Sequence, residues 1–370
     1  MRILHFADVH LDRPFVGVAP EAARRRRAEL ADAFRRCLAL ANEHDVDLVT
    51  IGGDLWEEEH VSADTRNSVV YELEQLGRPV LVICGNHDPL IPGGTYSRVT
   101  WPDNVRLVRT SEPELHDLGD VAVWGVSWTG GDLSASFFST FRAPDDGRTH
   151  LLLLHGTSGP LAYLTEGDTF TFQAAQVRDA GFARCLAGHV HIASDDGTIV
   201  YPGSPEPLRW NETGPHCVAV VSVTGAEVGV ELVPVNERVV ETRQVDCSGC
   251  LSSAEAADRA RGTLADADPA RIYLQLRLVG EVGPDCAVNL RRIREEHERR
   301  YAGLVIEDRT EPLLNVDARA ERRGLDGLFV RKLRERLVEA RDEDERQMLE
   351  LAQEAGLRAI DGRDAILHVD

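Results

Sequence analysis

The sequence predicts an α/β protein, and three observations carry that reading. Short continuous apolar runs recur through the first 235 residues or so: "RILHF", "VDLVTIG", "PVLVIC", "HLLLL" and "FARCLA". Each run ends in a polar cluster, and helical stretches lie between several of them. Unbroken apolar runs of this length mark strands covered on both faces, and their alternation with helices is the pattern of a largely parallel sheet. In such sheets ligands gather beyond the carboxyl ends of the strands, which is where every polar cluster falls.

Taken in order, "RILHF" leads into "ADVHLD". The segment "PEAARRRRAELADAFRRCLALANEH" then has helical periodicity, with Ala28, Leu30, Ala33, Phe34, Cys37, Leu38 and Ala41 forming its apolar stripe. "VDLVTIG" leads into "GDLWEEE", "PVLVIC" into "GNHD", "HLLLL" into "HGT" and "FARCLA" into "GHVH". Two further strands, "HCVAVVSVTG" and "EVGVELVPV", complete a first domain over residues 1–236. The pattern then changes. A strand "RVVETRQVD", a helix at about 252–266, a strand "RIYLQLRLVG", a charged helix at about 286–301 and a strand "GLVIEDR" make a small α+β unit over 237–320. Residues 321–370 form a helical tail rich in charge of both signs. No repeat and no phosphate-binding glycine loop is present.

Composition narrows the function. A formal net charge of −21 argues against a surface that grips nucleic acid all over, because phosphate binding needs clustered cations. Attraction to a polyanion must then come from local patches, bound metals or a partner. Lys332 is the sole lysine, so the cations are arginines, the better bidentate partners for phosphate. The first apolar run is too short for a signal-peptide core and no run approaches a membrane span, which places the protein in the cytoplasm with no membrane partner. The "NET" at Asn211 is on that basis an accidental sequon. Cys247 and Cys250 make one CxxC pair among seven cysteines, with no second pair at zinc-finger spacing, and read as reduced thiols.

The polar clusters collect Asp8 and His10, Asp54, then Asn86, His87 and Asp88, then His155, and finally His189 and His191. Singly, each has an ordinary explanation as a turn former or a hydrogen-bonded strand end. Jointly they do not: five of the thirteen histidines end predicted buried strands, beside carboxylates and an asparagine. One ion commonly takes about four protein ligands, so seven candidates point to two divalent ions. The donors are oxygen and imidazole nitrogen without thiolate, which suits manganese, iron, nickel or zinc, with magnesium also open. Two ions carry +4 against −2 from Asp8 and Asp54, a cationic site that draws in phosphate. Phosphoester hydrolysis is the reaction class that follows.

The series "DVH…GD…GNHD…H…GHVH", spanning residues 1 to about 205, resembles the calcineurin-like metallophosphoesterases. Within them, "ILHFADVHLDRPF" and "YPGSPEPLRW" resemble the SbcD-type DNA repair exonucleases of the YhaO-like branch. The resemblance implies a two-sheet α/β sandwich flanked by helices, with the α+β unit as a capping domain. It implies that Asp8, His10 and His191 hold one metal, Asn86, His155 and His189 the other, and that Asp54 bridges them. His87 would protonate the leaving oxygen and Asp88 would orient it. It implies manganese as the expected ion, DNA as substrate and an SMC-like coiled-coil ATPase as partner. The tail reads either as that partner's dock or as helix packed on its own domain, and a homodimer is a further option. One departure stands out: where many relatives carry His or Asp three residues after the bridging aspartate, this chain has Glu57, followed by Glu58, Glu59 and His60. Glu58 and Glu59 read as a solvated loop.

Arg24–Arg27 read as a solvated helix face or a phosphate-backbone contact. Trp56, Trp101, Trp124, Trp128 and Trp210 read as core or rim, with base stacking as the functional alternative. Three functions therefore compete. An exo- or endonuclease at DNA ends leads, a small-molecule phosphodiesterase such as a cyclic-nucleotide hydrolase is its rival, and a non-catalytic module is disfavoured by the complete ligand set.

Overall fold

The computed structural model describes residues 1–130, 137–164, 170–264, 268–284 and 286–362. The expected helix end at 265–266 and the tail residues 363–370 lie outside the described residues. The described residues divide into two compact units, Met1–Glu241 with Arg271–Tyr273, and Thr242–Ala270 with Leu274 onward.

The first unit holds two six-stranded sheets. In one, the strands Arg2–Phe6, Leu48–Gly52, Val80–Ile83 and Val105–Leu107 run parallel, and the antiparallel pair Cys217–Thr224 and Glu227–Pro234 closes the side beside Arg2–Phe6. In the other, Val121–Gly125, Thr149–His155, Arg184–Gly188 and Ile199–Tyr201 run parallel between antiparallel edges at Glu114–Asp117 and Ser194–Asp195. The period-two alternation of a strand explains how unbroken apolar runs serve both faces. Ile3, Leu48, Leu81 and Ile83 point to one core with Val123, Leu151, Leu153 and Leu186 of the second sheet. Leu4, Phe6, Val49, Ile51, Val80 and Val82 point the other way, onto a helix layer. On the far side Leu152, Leu154, Cys185 and Ala187 meet Phe137, Phe138, Phe172 and Val177. The two-sheet sandwich flanked by helices is thus the observed architecture.

The helix Pro20–Glu43 buries Leu30, Ala33, Phe34, Cys37, Leu38 and Ala41 as its periodicity predicts. Ala28 is exposed, and Arg26 takes a buried position on the stripe instead. The Ser62 side chain accepts from Thr65 N–H to start the helix Ala63–Leu76, and Gly77 at φ 64° ends it.

The second unit holds a three-stranded sheet, ordered Val239–Asp246, Ile272–Val282, Gly303–Pro312, with helices Ser253–Thr263 and Leu290–His297. The tail forms three helices, Val316–Ala320, Leu325–Val338 and Glu343–Ile360, which bury Ala320, Val330 and Leu357 together. Arg358 on the last helix pairs with Glu281, Glu354 and Glu311. Cys247 and Cys250 are buried free thiols. No helix among the described residues is long and apolar enough to cross a membrane.

Candidate metal centre

Five strands deliver the site. Asp8 and His10 follow Arg2–Phe6, Asp54 follows Leu48–Gly52, and Asn86 to Asp88 follow Val80–Ile83. From the other sheet, His155 ends Thr149–His155, while His189 and His191 follow Arg184–Gly188. The chain turns sharply at each exit, and Asp8, His10, Asp54 and His189 hold left-handed φ values of 58°, 50°, 51° and 99°. Such conformations cost of order 1–3 kcal/mol each for a non-glycine residue and persist where the surroundings enforce them. Gly53, at φ 90°, allows the close approach: a Cβ there would stand 2.6 Å from His155 Nδ1.

Three groups of ligand atoms converge, each with its atoms within 4.8 Å of one another: Asp8, His10 and His191; His10, Asp54 and His87; Asp54, His155 and His189. Asn86 Oδ1 lies 3.0 Å from His155 Nε2 and 2.9 Å from His189 Nδ1. Asp54 Oδ2 stands 3.5 Å from His10 Nε2 and 3.3 Å from His155 Nε2, so one carboxylate faces both groups. All seven residues expected to hold metal are therefore gathered at one end of the sandwich.

Whether these residues fit metal ions is decided by their protons. His10 Nδ1 lies 2.9 Å from Glu57 Oε1, and His191 Nδ1 lies 2.8 Å from Glu212 Oε1. A carboxylate only accepts, so in each ring Nδ1 carries the proton and Nε2 presents a lone pair. Those two Nε2 atoms face each other at 3.3 Å. His155 Nδ1 donates to the Gly52 carbonyl at 2.8 Å, which turns its Nε2 towards Asp54 Oδ2 and His189 Nδ1, each 3.3 Å away. Facing lone pairs repel unless a cation lies between them, and the donor set is oxygen and imidazole throughout. Burial, opposed only in part by Glu57, lowers the His10 pKa, and burial with the neighbouring His155 lowers that of His189 to about 3, so both stay neutral. Against their burial, Asp54 raises His155 to about 9 and Glu212 raises His191, protons that a bound cation would displace. Despite its burial, Asp54 is held well below the usual carboxylate range by His155, His10 and His87. The residues fit two ions.

His87 stands at the rim, with 41% of its side chain exposed. Its Nδ1 lies 2.9 Å from Glu57 Oε2, which raises its pKa against the opposing effect of burial. The carboxylate hydrogen-bonded to His87 is thus Glu57, not the Asp88 that was expected to orient it. Asp88 instead accepts from the backbone N–H of Gly85, Asp54 and Leu55, and from the Tyr96 hydroxyl at 2.8 Å. Burial and the charge of Asp54 push its pKa up to about 7. Glu58 is not a solvated-loop residue: it receives Thr95 N–H at 2.8 Å, whereas Glu59 is exposed. Glu212 was invisible in the sequence, where it sits inside an apparent sequon. Arg13 reaches Glu57 Oε1 at 3.1 Å and lines the cavity above the centre, as Arg209 does.

Residues 1–193, just over half of the chain, match the calcineurin-like phosphoesterase family. The chain belongs to that family. Family members use a dinuclear metal site, and the His and Asp groups gathered here could hold its ions. The protein is similar to the uncharacterized metallophosphoesterase YhaO of Bacillus subtilis, 28% identical over 66% of this chain and 63% of that protein. It is 28% identical to the DNA double-strand break repair protein Mre11 of Haloferax volcanii, over 80% of this chain and 65% of the relative. The SbcD component of the Bacillus subtilis nuclease SbcCD aligns over 34% of this chain and 33% of its own, at 29% identity. The chain thus spans under two thirds of the length of these relatives, and the similarity is consistent with the SbcD-type branch.

Proposed function

We propose that this calcineurin-like phosphoesterase is a manganese-dependent nuclease acting at DNA ends, exo- or endonucleolytic. The observation that carries the reading is the pairing of a two-ion ligand cluster with a partly exposed, carboxylate-held histidine at its rim. Relatives named for double-strand break repair and as part of a nuclease support DNA as the substrate. Asp8, His10 and His191 would hold one ion, Asn86, His155 and His189 the other, with Asp54 between them. When bound, two such ions act as Lewis acids on the phosphoryl oxygens and lower the pKa of the attacking water. The chain's own residues do the rest. Glu57 keeps the proton on His87 Nδ1, so the Nε2 face of the ring is free for the cavity, and its hydrogen bond raises the His87 pKa, favouring the protonated form the acid needs. Water adds its oxygen to phosphorus, and His87 gives its proton to the departing oxygen. Glu57 and Glu212 fix the His10 and His191 rings, as outer hydrogen bonds to ligating histidines do.

Action in the cytoplasm beside an SMC-like ATPase, with the α+β unit as a cap and the tail helices as a dock, completes the proposal. Leu325, Leu328, Val338 and Met348 are exposed on those helices, which suits a partner. The −21 charge favours the second reading, a hydrolase of small phosphodiesters. End-labelled single- and double-stranded DNA incubated with manganese, magnesium or EDTA, beside bis(p-nitrophenyl) phosphate, separates the two. The nuclease reading expects manganese-dependent shortening of DNA; DNA left intact while the small ester is cleaved would sink it.

A further inference from the structure

Beside the metal centre lies a second cavity of about 440 Å³, within the range that holds a small ligand. It shares Arg13, His87 and Arg209 with the cavity above the centre, so the two are continuous around the His87 ring. Its walls are apolar and aromatic, with Phe15, Val18, Leu208 and the half-buried Trp210. Arg26 is the unexpected member. Its helix position places it on the buried stripe, where only 8% of it is exposed. Its guanidinium carbon sits 4.1 Å from the Phe15 ring centroid, and Nη2 donates to the Pro207 carbonyl at 2.6 Å. It has no ion pair with any carboxylate among the described residues. The Tyr273 ring lies 4.7 Å from the same guanidinium carbon, and Tyr273, Glu29 and Glu212 offset the cost of its burial, so the charge is kept while N–H groups remain for a ligand in the cavity it lines. Glu57 also lines the cavity, but it is engaged by His10, His87 and Arg13.

The position of the cavity says which part of a substrate it receives. His87 delivers its proton to the leaving oxygen, so the group that leaves extends past His87, into this space. A half-buried indole offers a stacking face to an aromatic base, and a buried guanidinium with two others nearby suits a phosphate. A nucleotide unit carries both features at the right scale; a small alkyl ester carries neither. We propose that this cavity is the subsite for the leaving-side nucleotide of a polynucleotide, with its base on Trp210 and its next phosphate on Arg26, Arg13 and Arg209. The proposal rests on the phosphodiesterase reading above and deepens it.

The test uses the full-length, manganese-loaded protein. Its substrates are a dithymidylate with terminal phosphates at both ends and analogues lacking either base. The wild type should lose about tenfold in kcat/KM on the one analogue whose abasic sugar is in the leaving product. Trp210→Ala, checked to retain two ions per chain, should lose the same factor on the intact dinucleotide and nothing further on that analogue. Removing the leaving-side terminal phosphate should raise KM in the wild type and leave Arg26→Gln unmoved. Equal rates on all substrates, or losses that simply multiply, overturn the subsite alone. Hydrolysis of bis(p-nitrophenyl) phosphate without any dinucleotide cleavage overturns the subsite and the nucleic-acid reading together, and failure on both substrates removes the phosphodiesterase reading beneath them.

Discussion

Glu57 touches a metal-facing histidine, the rim histidine and Arg13 with one carboxylate, so its charge matters as much as its shape. The hydrogen bond to Glu57 raises the His87 pKa. A protonated His87 is therefore available above its ordinary pKa near 6.5 and is lost only as pH rises through the raised value. In Glu57→Gln the alkaline limb of the kcat/KM profile should move to lower pH; a slower enzyme with an unmoved limb would refute this assignment. His87→Ala should cut turnover by roughly a hundredfold or more while metal analysis still finds two ions, whereas Asp54→Ala should lose both activity and metal. The polar motifs made all the gathered residues legible before the structure. What they hid were the partners. Asp88 is next to His87 in sequence, but neighbouring residues project in different directions, and its carboxylate turns to the backbone of the Asp54 loop. Glu57 and Glu212 reach their histidines across 30 and 21 residues, through tertiary approach that no local spacing reveals.

The strand Arg2–Phe6 carries a buried histidine outside the metal centre that serves the sandwich. His5 Nε2 donates to the Ala187 carbonyl of the opposite sheet at 3.2 Å, and its Nδ1 lies 3.0 Å from the Thr50 hydroxyl. Burial, outweighing these hydrogen bonds, lowers its pKa to about 4. A depressed folded pKa contributes stability above the unfolded value of 6.5 that is lost as pH falls towards 4. The shift corresponds to about 3 kcal/mol for this fully buried ring. Thermal melts from pH 7 to pH 4 should therefore fall more steeply for the wild type than for His5→Gln; parallel slopes would assign the acid sensitivity elsewhere. At this scale the sequence was legible in its strands and helices, because continuous apolar runs and a 3.6-residue stripe are strong signals. Which strands share a sheet was not, since a run apolar on both faces specifies no partner; the two-sheet arrangement came from family resemblance. The stripe also misplaced one position, because Arg26 can be buried where Phe15 stacks on its guanidinium while Ala28 faces solvent.

For the whole molecule, the −21 charge and the proposed phosphate substrate would be reconciled by the local cluster of Arg13, Arg26 and Arg209 lining the two cavities. If the three cavity arginines meet phosphates as proposed, single-strand binding should fall with salt at a log–log slope of about −2, measured with EDTA present. A slope near −10 would mean a basic footprint elsewhere on the surface. Ions that bind the folded state alone should add about 3 kcal/mol at a hundredfold excess over Kd, so EDTA should lower Tm by roughly 5 °C or more. An unchanged Tm with metal removed would show that the ligand cluster is held by the scaffold alone.

The pairing of Arg2–Phe6 with Cys217–Thr224, Ile3 opposite Val221 and Leu4 opposite Val220, has a consequence for biosynthesis. The strand Arg2–Phe6 lies between Leu48–Gly52 and a partner synthesised more than two hundred residues later. All seven ligands, His191 included, emerge before that closing strand does. The nascent chain thus carries the full set of candidate metal-binding side chains on an open sheet edge, and such long-range pairing closes slowly. Ion capture on the ribosome would then precede closure of the sheet, making metal supply during translation a determinant of the yield of folded protein.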